Sequence, residues 1–230
     1  STKNFWFSVL PLIISPNWCE LHAASCTGAA GWNLQSTTYY EGGKGDEVSD
    51  YSYNYQVGTT TPKSTSVFFY EAKGAQIGLQ HATAADSEAM MARSLSYKDA
   101  IAIGTGITDF YQTGDVLSNL TQLTSETIYY GTAKGEEIAD YAYNYKTHEV
   151  SGVYSASTAS TISTYLYGAT EVRAQLGAKS TDAMTVSKTF KTTTYSAIKD
   201  LNETAGWNLQ STSYYEGGKG DEVSDYSYNY

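Results

Sequence analysis

From Val48 to Tyr55 the chain alternates with a period of two: Tyr51, Tyr53 and Tyr55 fall on one face, and Val48, Asp50, Ser52 and Asn54 on the other. Ile138–Tyr145 repeats the pattern, with Tyr141, Tyr143 and Tyr145 opposite Ile138, Asp140, Ala142 and Asn144, and Val223–Tyr230 repeats it again. Such alternation predicts a strand. The preceding Ser36–Tyr40 is β-branched and aromatic, hence extended, and Gly42-Gly43-Lys44-Gly45 lies between the two. Strand, glycine-rich reversal and strand predict a β-hairpin.

The hairpin belongs to a repeat. Ala30–Tyr55 and Ala205–Tyr230 differ only at Thr38 versus Ser213, and Thr127–Tyr145 is a diverged copy. The shared skeleton is an aromatic residue, three residues, Lys-Gly, two residues, then Val or Ile. It occurs at Tyr40/Lys44/Val48, Phe69/Lys73/Ile77, Tyr130/Lys134/Ile138 and Tyr215/Lys219/Val223. Asp115–Tyr145 aligns with Asp200–Tyr230 at a constant offset of 85. A unit of about 85–95 residues, itself a pair of modules, is therefore used about two and a half times. Five modules fall near residues 25–57, 64–100, 115–147, 158–190 and 200–230 of a single repeat domain spanning 25–230. Residues 1–24 form an apolar N-terminal segment expected to pack on the fold; Phe5–Ile14 is too short to span a bilayer and reads as a buried strand. Asp86–Leu95 departs from the pattern and predicts a short helix.

A hairpin cannot bury its own face, so neighbouring copies must pack on it. The expected class is all-β. Five modules of blade length favour a small propeller of about five blades, with tandem β-sandwiches as the alternative. The near-verbatim last copy is either a recent duplication or a closing element that pairs with the beginning of the chain.

Composition narrows the partners. The chain has 230 residues and a net charge of -10, which argues against nucleic acid because no cationic surface can release phosphate counterions. Ser and Thr together make up about a quarter of the chain, and Tyr outnumbers Phe 22 to 6. The polar surface is thus largely uncharged. Cys19 and Cys26 suit a short-loop disulfide of a secreted protein, with free thiols as the alternative; beside His22 and Glu20 they fall short of the four ligands of structural zinc. His22, His81 and His148 stand in no nucleophile-like context, and no P-loop, G-x-S-x-G or H-E-x-x-H motif occurs. The acids Asp46, Glu47 and Asp50 recur as Glu136, Glu137 and Asp140 and as Asp221, Glu222 and Asp225. A glycosidase has one acid pair in one cleft, so acids present in every repeat point to binding or structure, not catalysis. Calcium could take such carboxylates, but a solvated turn is the simpler expectation.

What recurs is aromatic residue plus acid: Trp32, Tyr40, Asp50 and Tyr53; Tyr130, Asp140 and Tyr143; Trp207, Tyr215, Asp225 and Tyr228. An aromatic ring stacks on the apolar face of a sugar while a carboxylate accepts from its hydroxyls, and several such sites on one body give avidity. The run T-x-Y-Y…K-G-x-x-V-x-D-x-x-Y, with Gly31-Trp32 and Gly206-Trp207, resembles the blade of fungal and bacterial fucose-binding propeller lectins. The resemblance implies acids at Asp50, Asp140 and Asp225 and platforms at Tyr53, Tyr143 and Tyr228. The Arg expected in the first strand is absent; Thr37, Thr38 and Thr127 stand there. The expected function is a secreted, multivalent, non-catalytic lectin for glycans. The alternative is an extracellular structural or adhesive protein whose Tyr ladders pack and whose free strand edges favour association of copies.

Overall fold

A computed structural model describes residues 33–71, 78–112, 116–191 and 208–230. The protein is all-β. Its strands are β1 (Ser36–Glu41), β2 (Val48–Tyr55), β3 (Pro62–Glu71), β4 (Gln80–His81), β5 (Met90–Lys98), β6 (Tyr111–Gln112), β7 (Val116–Leu117), β8 (Leu123–Tyr130), β9 (Ile138–Val150), β10 (Val153–Tyr167), β11 (Met184–Lys191), β12 (Asn208–Glu216) and β13 (Val223–Asn229). The main sheet runs β1-β2-β3-β5-β8-β9-β10-β11-β12-β13, all neighbours antiparallel, with β4 paired to β3. β6 and β7 form a separate ribbon.

The described strands thus make one open meander, whereas the repeat led to an expectation of separate propeller blades or of tandem sandwiches. The reason is visible in the pairing. The outer strand of each hairpin pairs with the first strand of the next module: β2 with β3, β5 with β8, β9 with β10, β11 with β12. No break in the hydrogen-bonded ladder divides one module from the next. Among the described residues β13 pairs with β12 and not with β1, and residues 1–32 at the beginning of the chain lie outside them.

Alternation gives the sheet two unlike faces. One cross-strand row runs Tyr39, Tyr51, Val67, Leu95, Glu126, Tyr143, Ile162, Phe190 and Leu209. Most of it is buried in the main core, because the connection between β5 and β8 folds over this face and delivers Phe110, Tyr111 and Leu117. Phe69 meets Phe110 and Tyr111 edge-on, with ring centroids 5.2 and 5.1 Å apart. The opposite face carries the row Thr38, Ser52, Ser66, Ser96, Ser125, Asn144 and Thr161. These small polar side chains are half-buried and bond one another: the Thr38 and Ser52 hydroxyls lie 2.8 Å apart, and the Asn144 amide donates to Thr161 at 3.1 Å.

Asp86–Leu95 is not a helix. The segment turns at Asp86–Ala89 and then becomes β5, flanked on both sides by β3 and β8. Two ladders of inter-strand hydrogen bonds outweigh the local helical propensity of the Ala-Met-Met-Ala run. Residues 1–32, with the apolar segment and both cysteines, lie outside the described residues, as do the Lys73-Gly74 copy of the skeleton and Trp207.

The three hairpin tips share one geometry. Backbone bonds Asp46→Gly43, Glu136→Ala133 and Asp221→Gly218 close four-residue turns, with Gly45, Gly135 and Gly220 at positive φ. Gly42 precedes the first turn at φ +110°, and a Cβ there would stand 2.5 Å from the Asp46 carbonyl oxygen. Gly43 has open space around it. Gly42→Ala is therefore expected to cost about 1–3 kcal/mol, and Gly43→Ala within about 0.5 kcal/mol, in urea unfolding.

Candidate functional site

Each hairpin carries a β-bulge, and the extra residue is the repeated aspartate. Tyr39 and Tyr40 face Tyr51 and Ser49, leaving Asp50 unpaired; Ile128 and Tyr129 face Tyr141 and Ala139, leaving Asp140; Tyr214 and Tyr215 face Tyr226 and Ser224, leaving Asp225. A bulge redirects the side chain at the point where the ladder is interrupted. Here it aims the carboxylate at the loop of the following module.

In the first unit that loop brings His81, immediately before a 3-10 turn at Ala82–Ala84. His81 Nε2 lies 3.2 Å from Asp50 Oδ1, both side chains being buried, without the alignment of a hydrogen bond. Burial, reinforced by Glu41, pushes the Asp50 carboxyl up to about 7, and burial pushes the His81 imidazole down. In the second unit the loop brings Arg173, again immediately before a 3-10 turn, Ala174–Leu176. Its guanidinium forks onto Asp140, Nε donating to Oδ1 at 3.2 Å and the second nitrogen to Oδ2, while the Gln175 N–H donates to Oδ1 at 3.2 Å. Arg173 also lies 5.6 Å over the Tyr141 ring.

The surroundings correspond too. The Tyr70 hydroxyl donates to the Ser49 carbonyl at 2.5 Å, and the Tyr167 hydroxyl to the Ala139 carbonyl at 2.6 Å. Val48, Tyr70 and Ala82 form one small core with Phe68 and Met91; Ile138, Tyr167 and Ala174 form its counterpart with Tyr165 and Met184. The tips tie units backwards as well. Glu137 accepts its own Gly135 N–H at 2.7 Å and the Met91 N–H at 3.0 Å; Glu222 accepts Gly220 at 2.8 Å and Met184 at 3.2 Å. Lys134 donates to the Ser87 carbonyl, and Lys219 lies 5.9 Å over the Tyr167 ring. A groove between the first two tips, lined by Glu47, Val48, Tyr70, Met91, Lys134 and Glu137, lies at the same junction.

The aromatic residues expected to form platforms differ from copy to copy. Tyr53 is half-buried, Tyr143 is 2% exposed and Tyr228 is 55% exposed. Asp50 and Asp140 are buried, and Asp225 is exposed. Tyr40 and Tyr215 occupy equivalent positions, but their structural counterpart is Tyr129, not Tyr130. Ser94 and Ser187 meet the Tyr129 and Tyr215 hydroxyls at 3.2 Å, and Tyr130 pairs with Ile138 as Glu41 pairs with Val48. The loop between β8 and β9 holds one residue more than its two counterparts, which the gap-free alignment hides. Trp32 and Trp207 lie outside the described residues, as do Cys19 and Cys26. His81 and Arg173 escape sequence inspection because they follow Tyr70 and Tyr167 at unequal distances.

Among the described residues no three His, Cys, Asp or Glu side chains gather as a metal site, and no helix is long and apolar enough to cross a membrane. No family model, curated protein or solved structure matches the chain.

Removing Asp140 strands a buried guanidinium, so Asp140→Ala is expected to cost about 3–5 kcal/mol in urea unfolding. Asp50→Asn is expected to cost on the order of 1 kcal/mol at pH 7, because burial already favours the neutral acid there. Asp50 also sets a pH dependence. Its folded value, about 7, lies above the ordinary 3.8, so its contribution is present below about 3.8 and is lost as pH rises through 7. The stability of Asp50→Asn relative to the parent should accordingly rise between pH 4 and pH 7.

Proposed function

We propose that the protein is a non-catalytic, extracellular structural or adhesive repeat protein that associates through its strand edges. One observation carries this: where a following module is present, the repeated acid and the repeated tip residues join one unit to the next. Asp50 and Asp140 reach forward to His81 and Arg173, and Glu137 and Glu222 reach backward to Met91 and Met184. A sequence that repeats its joints builds length, in the manner of arrays whose stability is a sum of units and interfaces. The long Ser/Thr/Asn row offers such an array a polar surface for contact. Among the described strands β1 and β13 stand at the two ends of the order, and the edge of a sheet invites pairing with further strands.

Static light scattering over a wide concentration range tests this. The apparent mass should rise with concentration, and Val223→Lys with Tyr228→Lys, which place charge on the β13 edge, should hold the protein monomeric. A concentration-independent monomer would remove the proposal.

Glycan binding is the alternative, favoured at one place. In the third copy Tyr226 and Tyr228 are exposed and meet at 5.6 Å, and Asp225 beside Tyr226 in the chain is exposed as well; exposed rings and a carboxylate are the groups that a sugar engages. A glycan array should then give binding that Tyr228→Ala abolishes; uniform silence across the array would exclude it.

A further inference from the structure

Residues directly opposed in an antiparallel hairpin bring their side chains together, and in the first hairpin two such residues are tyrosines. Tyr39 on β1 and Tyr51 on β2 stack with ring centroids 4.5 Å apart and planes at 16°. Tyr53 stands edge-on to both, 6.1 Å from Tyr39 and 5.4 Å from Tyr51. The third hairpin repeats the trio in Tyr214, Tyr226 and Tyr228, with the stacked pair at 4.7 Å and 21°. Tyr51 is half-buried and its equivalent Tyr226 is 47% exposed, so the stack is a property of the hairpin and not of its surroundings. The diverged second hairpin lacks the pair: Ile128 stands opposite Tyr141, which is buried in the core. That hairpin is the one whose aspartate is held by the Arg173 guanidinium, whereas the first has the weaker joint of Asp50 with His81.

We propose that Tyr39 with Tyr51, and Tyr214 with Tyr226, are sites of dityrosine formation: covalent cross-strand links made by a peroxidase acting with hydrogen peroxide. Each ring gives up one electron and its phenolic proton, which leaves a phenoxyl radical with spin on the carbons ortho to the oxygen. Two radicals held in contact join through one carbon–carbon bond between ortho carbons. The hydrogens on those carbons leave as protons, the phenolic oxygens take protons back, and both rings become aromatic again. The two electrons and two protons removed reduce one hydrogen peroxide to two waters, so the chain is lighter by two hydrogen atoms for each link. Strand pairing supplies the orientation: the partner ring is already stacked when the radical forms, so coupling is intramolecular and outruns collision with other chains. Tyr39 and Tyr51 are half-buried, which leaves part of each ring in contact with solvent and the oxidant. A link between them closes the chain across the glycine turn and removes freedom from the unfolded state, as any cross-link does. It holds β1 to β2 in the hairpin where the ionic joint is weaker. This deepens the reading of an extracellular structural protein and rests on it, because secreted peroxidases and peroxide are met outside the cell.

The test treats the full chain, in dilute solution, with a haem peroxidase and hydrogen peroxide, then digests it after lysine and weighs the peptides. Cleavage at Lys44 and at Lys219 separates the two rings of each pair. The expected products are the peptide ending at Lys44 joined to the one that begins at Gly45, and the peptide ending at Lys219 joined to the one that begins at Gly220, each lighter than the sum of its parts by two hydrogen atoms. Tyr39→Phe, which has no phenolic hydrogen to give, should remove the first link and keep the second; Tyr53→Phe should keep both. In urea, where the rings separate, the yield of both links should fall about tenfold. If Tyr39→Phe alters folding, the comparison of the native and urea-unfolded parent chain decides. Three outcomes overturn the proposal: no link in the native chain; links spread over the other tyrosines in the native chain as they are in urea; or an undiminished first link in Tyr39→Phe. Absence of links together with mass growth in light scattering would remove the cross-linking and leave the association standing, and links on a chain that stays monomeric at every concentration would do the reverse.

Discussion

A buried carboxyl group on a β-bulge, met by a basic side chain from the next loop, is the interaction on which the rest of the arrangement depends. The strand ladder alone would join the modules, but ladders tolerate slippage where a face is small and polar, and the Ser/Thr face here is both. A bulge cannot slip without carrying its aspartate away from its partner. Asp140 with Arg173 fixes β9 against β10 and the turn that follows β10. Asp50 with His81 occupies the same place between β2 and β3 but is a weaker joint, because both groups are driven towards their neutral forms. The two joints occupy equivalent places, one filled by a permanent guanidinium and the other by an imidazole that burial drives towards its neutral form.

Around each joint the other repeated residues become intelligible. The glycines let the tip reverse tightly, which brings Glu137 and Glu222 within reach of a backbone N–H on the strand before. The donors, the Met91 and Met184 N–H groups, sit at bulges in β5 and β11. The β8–β9 hairpin is thus held at its tip by the unit behind it and at its bulge by the unit ahead. An array of this kind has a direction.

Much of this was legible in the sequence. The period-two ladders and glycine turns identified the hairpins, and the near-identical copies identified the repeat. What the sequence could not supply was the partner of each strand across the module boundary. Blades and a continuous meander use identical hairpins and differ only in whether β2 bonds to β3. Asp86–Leu95 misled because helix formers lie between two strands that need a third. The repeated aspartates stand out in the sequence, but a carboxylate that grips a sugar and one that grips the next loop look alike until the bulge is seen. His81 and Arg173 stayed hidden because different residues at different spacings do the same work, and Tyr129 because one extra residue shifts the second hairpin.

The most direct test of the account is a double-mutant cycle in urea unfolding on Asp140 and Arg173, each changed to Ala, with Asp225→Ala alongside. The account predicts a coupling of about 2–3 kcal/mol between Asp140 and Arg173, and a change within about 0.5 kcal/mol for Asp225→Ala. A coupling near zero, or an Asp225→Ala cost equal to that of Asp140→Ala, would contradict it.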